Sequence, residues 1–289
     1  MKLICFQGLN CYHACIITLA HHAGYPYEQS FSRLWSEGNP RFDPIGRVFL
    51  TRRMPQALES MGMYLEEPAV TLPDRRHSWS EVSENAFALV GMDAFQVPWT
   101  PLFGLQHGPH YFIAQKKNGD AQFCIDPTYG IENQTLSSAQ LYEKSYAMIP
   151  VYITDKPAGF PENPASAAAQ AHEVLQSHPK TLKFFISQAE KWIREDPETA
   201  LHPAKFTDAL LTGRRLYRRF LEKNAVLEQA SLFESREYFA AWQAVKNGFY
   251  KAALRLREPE VFEEACRNFS ALLKQEMDFA AGILEKDRT

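Results

Sequence analysis

Three residues far apart in the chain have types and settings suited to thiol chemistry. Cys11 follows Asn10 and stands at the head of an apolar run from Ile16 to Gly24. Asn10 is a good helix N-cap, and the residues after it repeat at helical spacing (Cys11, Ala14, Cys15, Thr18, Leu19, His22), which predicts Cys11 in the first turn of a helix. Unpaired backbone N–H groups and the positive end of the helix dipole favour the thiolate there, and the thiolate is the nucleophilic form. A thiol nucleophile also needs a base and a third group to hold the base. His110 opens an apolar strand and Asp126 closes its neighbour, with an Asn118-Gly119 turn between them. Pairing across a two-residue turn sets His110 opposite Pro127 and makes Asp126 its near neighbour. Asp126 then accepts from one ring nitrogen of His110, and the other faces the thiol. Gln7, four residues before Cys11, offers its amide to an oxyanion forming on the group that Cys11 attacks.

The elements that must position these groups are legible in outline. After the first helix, Gly24-Tyr25-Pro26 makes a turn and Tyr27 to Trp35 reads as a short helix. Residues 41 to 51 read as loop or short strand. Met54 to Met61 has helical spacing, Met63 to Val70 reads as a strand, Asp74-Arg75-Arg76-His77 as a charged connector, and Ser78 to Glu84 as a short helix. Strands follow at Ala86 to Met92, His110 to Gln115 and Ala121 to Ile125, then a helix over Leu136 to Tyr142 and a last strand from Tyr146 to Ile153. The Pro/Gly-rich stretch Lys156 to Pro164 reads as a linker. Beyond it, segments of about 164–177, 180–195, 203–223, 226–256 and 258–285 carry apolar stripes at i, i+3 and i+4, separated by prolines such as Pro179 and Pro259. The expectation is an α+β domain over 1–155 with a small antiparallel sheet, followed by an all-helical domain over 156–289.

The totals exclude several classes of function. With 289 residues, 45% hydrophobic and 22% charged, the chain has a globular composition and room for two cores. A formal net charge of -3 argues against a protein that coats nucleic acid. No stretch approaches the roughly 18 apolar residues of a membrane span. Met1-Lys2-Leu3-Ile4 begins like a signal peptide, but Gln7, Asn10, His13 and His21-His22 interrupt any apolar core, so mature protein is expected. Five cysteines scattered over a long chain are no disulfide framework and fit a reducing cytoplasm. His13, His21 and His22 lack the spacing of a closed metal site, so no metal is expected. Cys15 reads as buried. The Arg214-Arg215-Leu216-Tyr217-Arg218-Arg219 cluster reads as a solvated helix face, with docking of an acidic protein as the alternative.

The order Gln, Cys at a helix start, His-Tyr-Phe-Ile-Ala on a strand, then Asp-Pro after a hairpin resembles the papain-like cysteine enzymes, especially the bacteriocin-processing peptidase domains of peptide exporters. The run Val90-Gly91-Met92-Asp93-Ala94-Phe95-Gln96-Val97-Pro98-Trp99, just before Gly108-Pro109-His110-Tyr111, is similar to the N-terminal domain of the butirosin biosynthesis protein H family, which pairs such a domain with a helical part. The resemblance covers roughly residues 5–153. It implies Cys11 as nucleophile, His110 as general base and then acid, Asp126 as orienting carboxylate and Gln7 as oxyanion donor. Gln7 departs from the peptidase pattern, where the Gln stands further ahead of the Cys, and Asn10 is the fallback donor. The activity implied is an acyl transfer in specialised-metabolite (antibiotic) biosynthesis, from the phosphopantetheine arm of an acyl or peptidyl carrier protein, through a Cys11 thioester, to a small-molecule amine. No cofactor of the protein's own is expected beyond the phosphopantetheine on its partner. Neither nucleic acid nor membrane is an expected partner, and a homo-oligomer is possible. Asp93 then reads as a site for a cationic amine with Phe95 and Trp99 as its wall, or alternatively as a loop cap beside core aromatics. The alternative activity is hydrolysis by the same triad, as a cysteine peptidase or amidohydrolase.

Overall fold

The computed structural model describes residues 1–6, 8–44, 46–154, 166–195, 199–224, 231–255 and 259–287. In chain order the elements are α1 (Cys11–His22), a 3-10 turn (Tyr27–Phe31), β1 (Arg41–Asp43), β2 (Val48–Leu50), α2 (Arg53–Ser60), β3 (Met63–Leu65), α3 (Leu72–Glu81), β4 (Phe87–Asp93), β5 (Pro109–Gln115), β6 (Ala121–Asp126), β7 (Ile131–Ser137), α4 (Ser138–Lys144) and β8 (Ser145–Ile153). The helices α5 (Ala167–Glu195), α6 (His202–Lys223), α7 (Ser231–Glu234), α8 (Arg236–Leu254) and α9 (Pro259–Asp287) follow. The protein is therefore α+β, and no helix among the described residues is long and apolar enough to cross a membrane.

The chain divides into two compact units. The first comprises Met1–Tyr27, Asp43–Arg47 and Pro55–Phe160; the second comprises Glu28–Phe42, Val48–Met54 and Pro161–Thr289. A single boundary at 155/156 is thus too simple, because two short pieces of the N-terminal half belong to the helical unit. Their side chains say why. Trp35 stacks on Tyr217 at 5.7 Å and meets Phe233 edge-on at 5.4 Å, and Phe49 packs edge-on against Phe206 at 5.4 Å. Aromatic side chains dominate core energetics, and these rings bury themselves among helices far along the chain. The expected linker at 156–164 lies outside the described residues.

In the first unit a six-stranded antiparallel sheet runs β3-β8-β4-β5-β6-β7. One face carries Ala88, Val90, Met92, Phe112, Ala114 and Cys124 against Trp79 and Leu141. α1 is capped as its sequence predicts: Asn10 Oδ1 accepts from the His13 N–H at 2.8 Å, and His13 to Ala20 are all buried. The 74–77 segment is not a connector. Thr71 caps α3 and Pro73 sits in its first turn, so the helix starts earlier than Ser78, and Arg75 is buried with its guanidinium on the Tyr142 carbonyl. Of the expected 63–70 strand, Met63–Leu65 form β3 and Ala69 adds an isolated antiparallel bridge to Met148. The edge strand β7 escapes a reading by pattern because Glu132 to Thr135 are polar and exposed, as edge strands commonly are.

The hairpin register differs by one residue from the two-residue-turn expectation. Ile113 pairs with Ile125, Ala114 with Cys124 and Gln115 with Phe123. The connection is longer than two residues because the buried Gln122 side chain takes over ladder bonds: its Oε1 accepts from Lys117 N at 2.8 Å and its Nε2 donates to Gly119 O at 2.8 Å. Side chains alternate across a strand, so this single step places even-numbered positions of β5 and β6 on one face.

The second unit is built on α5, α6, α8 and α9 around Phe185, Phe206, Trp242, Phe249 and Phe269, with Phe185 and Phe269 rings 4.2 Å apart. Pro179 does not divide α5; it lies exposed within one 29-residue helix. Arg214 is not on a solvated face. It is fully buried, its Nε and Nη2 on Glu276 at 3.1 and 3.0 Å and its Nη1 on the Glu37 carbonyl at 2.9 Å. Glu276 also accepts from Tyr238 Oη at 2.5 Å and from His178 Nε2 at 2.5 Å.

Candidate active site

Cys11 is the first residue of α1 and is half-buried. An α-helix leaves the N–H groups of its first turn without intrahelical acceptors. In α1 the Asn10 side chain takes that of His13 at 2.8 Å, and Cys11 stands in the first turn at the positive end of the helix dipole. His110 sits near the start of β5 and Asp126 at the end of β6, with side-chain exposures of 5% and 0%. Their approach follows from the register: Phe112 and Cys124 share the core face, and the even-numbered His110 and Asp126 belong to the same face. His110 Nε2 lies 2.6 Å from Asp126 Oδ2, which leaves Nδ1 as the ring nitrogen the carboxylate does not take, and the Cys11 thiol interacts with the same imidazole.

Asp126 is completed by two further donors. Trp99 Nε1–H donates to Oδ2 at 2.9 Å and the Thr128 N–H to Oδ1 at 3.0 Å. The second bond is an Asx turn, and Asp followed by Pro127 and Thr128 is a sequence in which one is expected. Two tyrosines that sequence reasoning missed also touch His110. The exposed Tyr129 ring lies 5.3 Å from the imidazole, and Tyr146 Oη donates to the His110 carbonyl at 3.3 Å. Tyr146 reaches that position through a register break: Gly91 pairs with Ala147 but Met92 with Ser145, so Tyr146 is the extra residue of a bulge. Gly91 makes the room, since a Cβ there would stand 2.4 Å from the Tyr146 ring. No local pattern announces a bulge, and only Gly91 within an apolar strand hinted at one.

Burial works against charge on His110, but the hydrogen bonds and charges of Asp126 and Cys11 outweigh it and raise the imidazole to about 9. Burial comes first in pushing up Cys5, Cys15, Cys124 and Cys266: Cys5 up, Cys15 well up, Cys124 to about 12 and Cys266 to about 11. Cys15 is buried as expected, its Sγ against the Tyr111 carbonyl at 3.5 Å. A protonated imidazole beside a thiol at a helix start is the electropositive setting in which cysteines react.

The remaining sequence candidates fall as follows. Gln7 lies outside the described residues. Asn10 spends its Oδ1 on the α1 cap. Asp93, Phe95 and Trp99 do not form one wall. Asp93 caps its loop, accepting from the Phe95 and Gly108 N–H groups at 3.1 and 3.0 Å and pairing with His107 at 2.6 Å, while Phe95 stacks on the His107 ring at 4.4 Å. Trp99 turns the other way, to Asp126 and edge-on to Phe112 at 5.1 Å. Asp93 and Phe95 thus build the 93–108 loop, and Trp99 supports the carboxylate. Comparison of the sequence with protein-family models and with curated proteins finds no match.

Proposed function

We propose that the first unit is a papain-like catalytic domain and that the protein is a cysteine-dependent acyltransferase, moving an acyl or aminoacyl group from a carrier-protein thioester to an amine. One observation carries the reading: Cys11 at the N-terminus of α1 interacts with the His110 imidazole, whose Nε2 Asp126 holds at 2.6 Å. That is a nucleophile, a base and an orienter in series.

The chemistry runs in two balanced halves. The Cys11 sulfur adds to the thioester carbonyl, and the tetrahedral intermediate expels the carrier's phosphopantetheine thiol, which leaves with the proton from His110. The positive end of the α1 dipole favours the resulting oxyanion. An amine then attacks the Cys11 thioester, His110 takes its proton, the C–N bond forms and the C–S bond breaks, which returns the resting enzyme and releases the amide. Exchange between thioesters is nearly balanced and aminolysis runs downhill, so no nucleotide is consumed.

The test is intact-protein mass spectrometry of wild type and Cys11→Ala after mixing with acyl-loaded carrier proteins. An acyl-mass adduct on wild type alone supports the reading. No adduct on either protein, together with cleavage of peptide or amide substrates by wild type, replaces it with hydrolysis by the same residues.

A further inference from the structure

The helical unit contains a cavity of about 410 Å³, at the small end of ligand-site volumes, lined by residues from the 36–39 loop, by Arg53 and by α5. We infer that this cavity is a binding site for a zwitterionic apolar α-amino acid, independent of the cysteine chemistry. The charge of its walls selects that class. Two cations, Arg53 and Lys180, stand with two carboxylates, Glu37 and Glu173. A dianion such as phosphate meets the carboxylates and a dication meets the two bases, whereas a ligand carrying one charge of each sign satisfies both.

The four charged groups are not equivalent. Glu37 is floor rather than recognition surface, since it is buried and already accepts from Thr51 Oγ1 and from the N–H groups of Asn39, Arg52 and Arg53. Arg53 and Glu173 form an ion pair at 2.8 Å, with side chains 26% and 30% exposed. The bonds described for that pair use Arg53 Nη1 and Glu173 Oε2, the latter also taken by Ser36 Oγ, which leaves Oε1 for an ammonium and Nη2 for a carboxylate. Lys180 is exposed, and among the described residues its ammonium has no carboxylate partner. Glu173, Ser177, Lys180 and Phe184 recur on one face of α5 at helical spacing, which sets the groups in order along the cavity: carboxylate, hydroxyl, cation, ring. The Phe184 ring is 39% exposed, an apolar surface for the ligand's side chain beyond its charged end. The cavity's shape depends on Gly38, where a Cβ would stand 1.9 Å from Thr181 Oγ1, so only glycine lets the loop lie this close to α5.

The test is isothermal titration of the full-length protein with L-phenylalanine and L-leucine, and with two analogues that each lack one charge, L-phenylalaninamide and L-phenyllactate. The expected result is one-to-one binding of at least one amino acid, with the corresponding analogues weaker by tenfold or more. Lys180→Met, an exposed substitution, is expected to weaken the amino acid by tenfold or more and to leave the amide unchanged. A circular-dichroism melt of Lys180→Met matching wild type separates this loss from misfolding. No binding of either amino acid to wild type overturns the inference, as does equal binding of the amino acid and its single-charge analogues, or a Lys180→Met protein that binds as wild type does.

Discussion

Each unit contains a buried histidine with its Nε2 on a carboxylate, His110 on Asp126 at 2.6 Å and His178 on Glu276 at 2.5 Å, and the two histidines end in opposite states. His110 is raised to about 9, while His178 is lowered. Burial opposes the imidazolium in both. In the first unit the carboxylate and the Cys11 sulfur together overcome it; in the second, burial prevails and the Arg214 guanidinium adds its repulsion against the pull of Glu276. Arg214 in turn is the leading force that, against burial, holds Glu276 down at about 2. A histidine–carboxylate pair is therefore no signature of catalysis in itself. The third group differs: on the proposed function a thiol makes the pair a proton relay, where a guanidinium makes it a structural ion cluster.

Exchanging the damage between the two clusters tests that difference most strongly. Asp126→Asn keeps the shape but upsets the tautomer of His110, and transfer from the carrier is expected to fall by on the order of 10⁴ with little change in the urea midpoint. Arg214→Met leaves a buried carboxylate without its cation and is expected to cost about 3–5 kcal/mol in urea unfolding, with Cys11 acylation in the folded protein unchanged. If Asp126→Asn destabilised the protein as much as Arg214→Met, the division into relay and strut would be wrong.

Acidity should act on the two histidine–carboxylate pairs in opposite directions. A histidine raised in the folded state adds stability that is complete below its unfolded value and disappears as pH rises through about 9. Over the same range the protonated His110 is lost, so the rate of Cys11 acylation should fall on an alkaline limb near 9. A histidine lowered in the folded state does the reverse: the contribution of His178 is present above its unfolded value of about 6.5 and is lost as the pH drops below that. Glu276, depressed to about 2, adds stability that fades as pH falls from the usual glutamate range toward that value. In the sheet unit the buried His13, lowered to about 4 by burial, has the same sign, so acid titration followed by tryptophan fluorescence and proteolysis should find both units losing stability below about 6.5, and a sheet unit unaffected by acid would contradict it.

The smallest expected effect is at Trp99. Trp99→Phe keeps the ring against Phe112 and removes one donor from Asp126, a charge-assisted bond worth about 1.5–3 kcal/mol. With more negative charge left on Asp126, the alkaline limb of the acylation profile should move to higher pH. An unmoved limb would reduce Trp99 to packing.

The parts of this protein that its sequence declares are those governed by neighbours a few residues away. Asn10 caps α1 and puts Cys11 in the first turn because an Asn side chain reaches a backbone N–H three residues on. The strands flanking Asn118-Gly119 return on each other, and Asp126 makes its turn with Thr128, by equally short-range geometry. What only the tertiary structure decided are choices between alternatives that local chemistry leaves equal. The hairpin register turned on the Gln122 side chain, and that single residue of shift put His110 and Asp126 on one face. The aim of Tyr146 depended on a bulge opposite Gly91, and the partner of Trp99 on which way the 93–108 loop folded. Arg214 looked like one more surface cation, and Pro179 like a helix end. Their places were set by Glu276, 62 residues from Arg214, and by packing along the whole of α5. Strand register, bulges and buried ion clusters are selected by contacts between distant segments, and a period of two or 3.6 residues carries no record of which distant segment will arrive.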